Sequence, residues 1–320
     1  MILYYTMSQR NNRRPKNKTM KALNCGPLGK NRNIKESCLT KDVIFKLKEG
    51  FNSKYPDKFI QSSQPMQIWN ELSNNLQHCE KETCWLDVLP NRNLRNRVEN
   101  LLYAPQKPIE WKLKPNTWLS NHDILGVMEQ YELAYSNFRF IGPSPIDFDK
   151  SVTIGYGDFC KSKSYFMGSN CVCSELCNFN INDYKLEGID KIGICFNLDK
   201  HTQGGSHWVS MFIDLKEKFI FYFDSTGYNM PKEIVTLVER INSQEAYKLY
   251  VNKLEHQRGN SECGMYTLMF LITMLSNEWY NGRSKKHIQF KNSREKISFF
   301  KNKRISDYKV AKFRDIYFNE

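Results

Sequence analysis

The 320-residue sequence is marked first by what it lacks. No apolar run is long enough to cross a bilayer: the longest strongly apolar segment, residues 263–275, falls short of the roughly 20 residues a membrane helix needs. Residues 1–6 are too short an apolar run for a secretory leader, and the basic residues follow them instead of preceding them. A Gly-rich phosphate loop or other cofactor motif is missing, as is an internal repeat. These absences predict a soluble intracellular chain with no cofactor and no membrane partner. The ten cysteines (Cys25, Cys38, Cys79, Cys84, Cys160, Cys171, Cys173, Cys177, Cys195, Cys263) are accordingly expected as reduced thiols.

Acidic residues are also absent from 1–35, which carry nine Lys/Arg. Residues 283–320 add a net charge of +8, whereas 36–282 hold 26 basic against 30 acidic residues. The formal +13 therefore comes from the two ends, and the middle of the chain is no basic groove. What is present is a composition able to fold, 40% hydrophobic and 13% aromatic.

Apolar residues recur at helical spacing from Cys38 to about Tyr103, for example at Val43, Ile44, Leu47 and Phe51, until Pro105 and Pro108 interrupt them. Ser120–Asp123 reads as a helix cap. Residues 191–198, 207–215 and 218–223 are nearly continuous apolar runs, predicting three strands buried on both faces, and 247–254 a further strand. Pro231 opens a helix, residues 263–275 form one that is apolar all round, and Ser306-Asp307 starts a last helix through Phe318. The expected organisation is a flexible basic tail (1–35), a helical arm (36–110) and a core domain (111–320). The fold class is α+β: a central mixed sheet packed on the buried helix that begins at Cys263.

Four residues in this frame carry chemistry. His207 opens one strand and Asp224 ends its hairpin neighbour, so the carboxylate can reach the imidazole and fix its tautomer. Cys263 begins the apolar helix, where unpaired backbone N–H groups and the positive end of the helix dipole favour a thiolate. Gln257, in the loop before it, offers a neutral amide donor for a tetrahedral oxyanion. Singly, each has a plain reading: a buried apolar thiol, a structural histidine, a turn aspartate. The order His…Asp…Gln…Cys is far more specific than any member, and it points to a cysteine hydrolase mainly through the family resemblance of the segments that carry it. His256, beside Gln257, is the poorer candidate for the base. Cys160, Cys171, Cys173 and Cys177 lack paired C-x₂-C knuckles, so loop thiols are expected there ahead of a zinc site.

The segments 205–214 (Gly-Ser-His-Trp-Val-Ser-Met-Phe-Ile-Asp), 223–225 (Phe-Asp-Ser) and 256–266 (His-Gln-Arg-Gly-Asn-Ser-Glu-Cys-Gly-Met-Tyr) resemble the SUMO-protease-like cysteine proteases. Within that clan they look nearest to the processing proteases of large DNA viruses, of the African swine fever virus type, with the poxvirus core and adenovirus enzymes more distant. Residues 138–148 and 304–314 resemble flanking segments of the swine fever enzyme, and Cys38–Lys41 with the Cys79…Cys84 spacing resembles its arm. The resemblance implies His207 as general base, Asp224 as its orienting acid, Gln257 as oxyanion donor and Cys263 as nucleophile. Asp224 departs from the swine fever pattern, which has Asn there. Trp208 resembles the lid of a narrow substrate tunnel and Trp118 its opposing wall, with core packing the alternative for either. The implied activity is cleavage of viral capsid or core precursors after Gly-Gly, in host cytoplasm and virion. Removal of ubiquitin-like modifiers is the rival reading, and a basic nucleic-acid-binding protein the third. DNA or an acidic surface would then be the partner of the basic ends.

Overall fold

The computed structural model describes residues 21–30, 34, 37–152, 160, 171–280 and 287–320. Five strands, Phe138–Pro145 (β1), Lys191–Asn197 (β2), Trp208–Asp214 (β3), Phe219–Phe223 (β4) and Lys248–Val251 (β5), form one sheet in that order. The outer pairs β1/β2 and β4/β5 are parallel, and the inner pairs β2/β3 and β3/β4 antiparallel. Every residue of β3 and β4 is buried, as their unbroken apolar runs require.

Successive side chains divide between the two faces. Trp208, Phe212, Phe219, Phe221 and Phe223 belong to the core built around the helix Cys263–Ser276. Val209, Met211, Ile213, Ile220 and Tyr222 belong to the core shared with the helix Lys232–Gln244. The Cys263 helix is buried from Cys263 to Leu275 and ends at Asn277 in the left-handed region. The buried Lys296 ammonium bonds the Met274 carbonyl and the Asn277 side chain there, a cation at the negative end of the helix. The predicted strands, the helix after Pro231 and the Ser120 cap, a full capping box with Asp123, are all present.

Four expectations need correction. The edge strand β1 was not foreseen, because Gly142-Pro143 interrupts its apolar pattern and a bulge lies between Ile141 and Ser144. The single last helix is two short ones, Asp307–Ala311 and Arg314–Tyr317; the break between them accompanies an inward turn of Arg314, which is 5% exposed. Residues 21–30, assigned to a flexible tail over 1–35, are built into the arm: Cys25 is bonded to Cys38, and Asn24 exchanges hydrogen bonds with Asn319. Arg10, Arg13, Arg14, Lys16 and Lys18 of that tail lie outside the described residues.

The reduced-thiol expectation also fails. Cys25–Cys38, Cys79–Cys84, Cys160–Cys173 and Cys171–Cys177 are disulfides, with Cα atoms 5.0–6.6 Å apart, within bridging range. Only Cys195 and Cys263 are free thiols. The four-cysteine cluster thus has no thiolate for zinc. His78, Cys79 and Cys84 place donor atoms within 4.8 Å of one another, but their two sulfurs are likewise bonded together.

In the arm, the helices Lys41–Lys54, Pro65–Asn75 and Arg92–Leu102 bury Ile44, Leu47, Phe51, Ile68, Leu72, Val98 and Leu102 together. The buried Glu82 carboxylate sits among them and accepts from Trp69 Nε1, the Cys38 N–H and the Tyr103 hydroxyl. Asn319 stitches arm to core through backbone bonds with Pro105 and Lys107. Among the described residues no helix is long and apolar enough to cross a membrane.

Candidate active site

The last paired residues at one end of the β3/β4 hairpin are Ser210 and Phe223, so His207 and Asp224 leave the sheet side by side. His207 Nε2 lies 2.8 Å from Asp224 Oδ1. That carboxylate is 1% exposed and also accepts from the Thr226 N–H (2.9 Å) and hydroxyl (2.7 Å). Asn252, just past β5, clamps the Asp224 backbone from both sides, accepting its N–H at 2.9 Å and donating to its carbonyl at 2.7 Å. Phe223 stacks flat on Phe270 of the Cys263 helix at 4.6 Å. On the other flank, Gly205 has φ +93°, and a Cβ there would stand 2.8 Å from Asn197 Nδ2, so the approach to His207 requires glycine.

Cys263 is the first residue of its helix and is 2% exposed. Its neighbour Gly264 allows Leu119 to lie against the helix start, where a Cβ would meet the leucine side chain at 2.9 Å. Glu262, at the N-cap position, is buried and paired with Arg314 at 3.2–3.3 Å; the guanidinium stacks on Trp111 at 4.3 Å. Burial pushes the Glu262 carboxyl up, against the pull of Arg314.

The His207 imidazole feels both partners. Burial alone would lower its pKa, but the hydrogen bond to Asp224 and the neighbouring Cys263 sulfur outweigh burial and raise it to about 9. With Nε2 on the carboxylate, Nδ1 is the nitrogen left for the thiol. The site therefore favours an imidazolium beside a sulfur that opens a helix, the arrangement of an activated thiol nucleophile. His256 is different. It is fully buried, its Nε2 bonds the Phe300 carbonyl at 2.8 Å, its Nδ1 accepts the Ile305 N–H at 3.1 Å, and burial lowers its pKa. Neither nitrogen is left for chemistry.

Gln257 is held at both ends, Oε1 by the Ser225 hydroxyl (2.7 Å) and Nε2 by the Gly259 carbonyl (2.9 Å). Trp118 and Trp208 meet on one cleft of about 320 Å³, with Leu119, Pro143, Gly204, Gly205 and Ser206, the last adjoining His207. Trp208 is buried, with Nε1 donating to the Leu119 carbonyl at 3.0 Å, whereas Trp118 is 44% exposed. The structure thus brings His207, Asp224 and Cys263 together, and places the two tryptophans on one cleft that ends at Ser206 and Trp208, the residues flanking His207.

Sequence reasoning missed Ser225, Thr226, Asn252, Asp307 and Arg314 as parts of this site. Ser225 and Thr226 follow Asp224 directly, so a turn reading of Asp-Ser-Thr-Gly could have found them. Asn252 and Arg314 leave no local signal.

Known proteins match this chain over the same elements. A family described as the Ulp1 protease family, C-terminal catalytic domain, matches residues 154–306, which include His207, Asp224, Gln257 and Cys263 but neither the arm nor Arg314. A protein of Acanthamoeba polyphaga mimivirus named as a thiol protease is 32% identical over 210 residues, 63% of this chain and 62% of that protein. A SUMO-1 cysteine protease of African swine fever virus is 30% identical over 270 residues, 77% of this chain and 87% of that one. A crystal structure of the African swine fever virus protease aligns over 94% of this chain and 97% of its own, with TM-score 0.55 at 20% identity, a likeness of fold that takes in the arm.

Proposed function

The chain belongs to the Ulp1 protease family of cysteine proteases, and from that premise we propose an endopeptidase that cuts viral structural precursors after Gly-Gly during particle assembly. The observation that carries the chemistry is the His207–Asp224 pair beside the thiol that opens the Cys263 helix. In this reading the Cys263 sulfur attacks the scissile carbonyl, and Gln257 Nε2 donates to the oxyanion that forms. His207 passes its proton to the leaving amine as the C–N bond breaks, leaving a thioester on Cys263. His207 then takes a proton from water; the hydroxide attacks the thioester, and the acid product and free thiol result. Asp224 holds the imidazole in register throughout.

The cleft lined by both Trp118 and Trp208 supports the Gly-Gly preference, since two large rings on one cleft of about 320 Å³ crowd side chains more than backbone. Its place of action in this reading is the assembly site in the host cytoplasm and the virion. The name of the swine fever relative, a SUMO-1 cysteine protease, favours a second substrate, a ubiquitin-like modifier whose tail also ends in Gly-Gly.

The test is to incubate purified protein with candidate capsid and core precursors and sequence the new N-termini. New N-termini directly after Gly-Gly, absent with Cys263→Ala, are expected. Full activity in Cys263→Ala overturns the mechanism. Labelling of Cys263 by a ubiquitin or SUMO probe, with precursors left intact, overturns the substrate.

A further inference from the structure

The orientation of the Gln257 amide is decided by its neighbours. We infer that Ser225 and Asp307 are positioning residues that hold Gln257 ready to donate to the oxyanion, an inference that rests on the proposed role of Gln257 as that donor. A primary amide is nearly symmetric in outline. Rotation by 180° exchanges its oxygen and nitrogen, and only one orientation presents N–H to a developing negative charge.

A carbonyl can only accept, so the end of the amide 2.9 Å from the Gly259 carbonyl is the nitrogen. The other end is then the oxygen, and the Ser225 hydroxyl donates to it at 2.7 Å. One Nε2 hydrogen is used by Gly259, which leaves the second for the oxyanion. Ser225 is 1% exposed and follows Asp224 directly. Its carbonyl accepts the N–H groups of both His256 and Gln257 at 2.8 Å. One residue thus fixes the backbone and the side chain of Gln257 and sets them against the carboxylate that orients His207.

Gly259 is itself held from outside its loop. The N–H groups of Arg258 and Gly259 converge on Asp307 Oδ2, at 3.1 and 3.3 Å. Asp307 opens the helix Asp307–Ala311, and its Oδ1 lies 3.3 Å from the hydroxyl of Tyr266, three residues past Cys263, whose hydrogen goes to the Ile305 carbonyl at 2.7 Å. The carboxylate therefore anchors the Gln257 loop to the start of the helix Asp307–Ala311. Without the Ser225 hydroxyl the amide keeps its nitrogen on the Gly259 carbonyl but loses the anchor on its oxygen end, and can swing about that one contact away from the oxyanion. Without Asp307 the loop loses two anchors, and displacements of an ångström at a reacting centre are costly in rate.

Steady-state kinetics on a Gly-Gly-X peptide, with thermal unfolding of each variant, test this. Gln257→Ala is expected to lower kcat by about 10²–10³. Ser225→Ala should lower it by about 10-fold with KM little changed, and Ser225→Thr should restore most of the loss. Asp307→Ala should lower kcat by roughly 5-fold, and Asp307→Asn, which keeps an acceptor for the two N–H groups, by less. Adding Ser225→Ala to Gln257→Ala should cost nothing more, because the hydroxyl acts through the amide. Unchanged kcat in Ser225→Ala beside an impaired Gln257→Ala overturns the inference alone, as does a double variant that shows both losses in full. Unchanged kcat in Gln257→Ala overturns the donor role first and the inference with it.

Discussion

His207 and His256 both border the candidate site, yet their surroundings make opposite groups of them. His207 stands at the open end of β3 with a carboxylate on Nε2 and the thiol on the other side, and its pKa is raised to about 9. His256 sits beneath Phe300 and Ile305, against Phe223 and Tyr266, with both ring nitrogens bonded to backbone. Because the Phe300 carbonyl can only accept, Nε2 carries the hydrogen and Nδ1 is the acceptor, which makes His256 a neutral ring. A catalytic base needs a counter-charge and an open nitrogen; a structural histidine needs two fixed backbone partners and no charge. The pair teaches that nearness to the nucleophile in sequence is a poor guide to role, since His256 is the nearer one.

Alanine at each position should break the comparison most sharply. His207→Ala is expected to lower kcat by about 10⁴-fold or more, and its urea midpoint, compared above about pH 9 where the ring's charge no longer adds stability, should be nearly that of the parent, because the half-buried ring supports chemistry more than packing. His256→Ala should do the reverse. It strands a buried carbonyl and a buried N–H, each at about 1–3 kcal/mol, so the urea midpoint falls. The fraction still folded should turn over within a few-fold of the parent. A His256→Ala protein of normal stability and lost turnover would reverse the two roles.

The same contrast shows what a sequence discloses. His207, Asp224 and Cys263 were legible because each sits where an unbroken apolar run starts or stops, and such runs declare β3, β4 and the Cys263 helix unaided. The edge strand β1 was hidden by Gly142-Pro143, whose local signal is a turn. The contacts that fix the site were illegible for another reason. Asn252 clamps Asp224 from 28 positions away, and Asp307 reaches Gly259 across 48. Pairings at that separation follow from topology and leave no periodic trace. The cysteines gave way on the same ground: counting them and judging the compartment predicted thiols, whereas the fold brings four pairs within bonding range.

The raised pKa of His207 has a sign that can be tested. A free histidine titrates near 6.5, so the fold favours the protonated ring. Its contribution to stability is fully present below about pH 6.5 and is lost as pH rises through about 9. The basic limb of the kcat/KM profile should stand near that upper value, where the imidazolium is lost. Asp224→Asn removes the carboxylate charge and should move the limb down toward 6.5, making His207 more like His256. A limb still near 9 in Asp224→Asn would mean that the thiol side, and not Asp224, holds the proton.

The smallest expected effect distinguishes charge from positioning. Thr226 gives both its N–H and its hydroxyl to the same Asp224 oxygen that faces His207. Thr226→Val keeps the shape and the N–H but removes the hydroxyl, leaving the carboxylate charge less offset by hydrogen bonds and its pull on the imidazolium stronger. The basic limb should then move up, by about half a unit, opposite to its movement in Asp224→Asn. One restraint on the carboxylate is lost as well, so kcat should fall by about 2- to 5-fold. A shift upward with a small loss in kcat assigns Thr226 to both tasks. A fall in kcat with the limb unmoved assigns it to positioning alone, and the pKa of His207 would then be governed without the threonine hydroxyl.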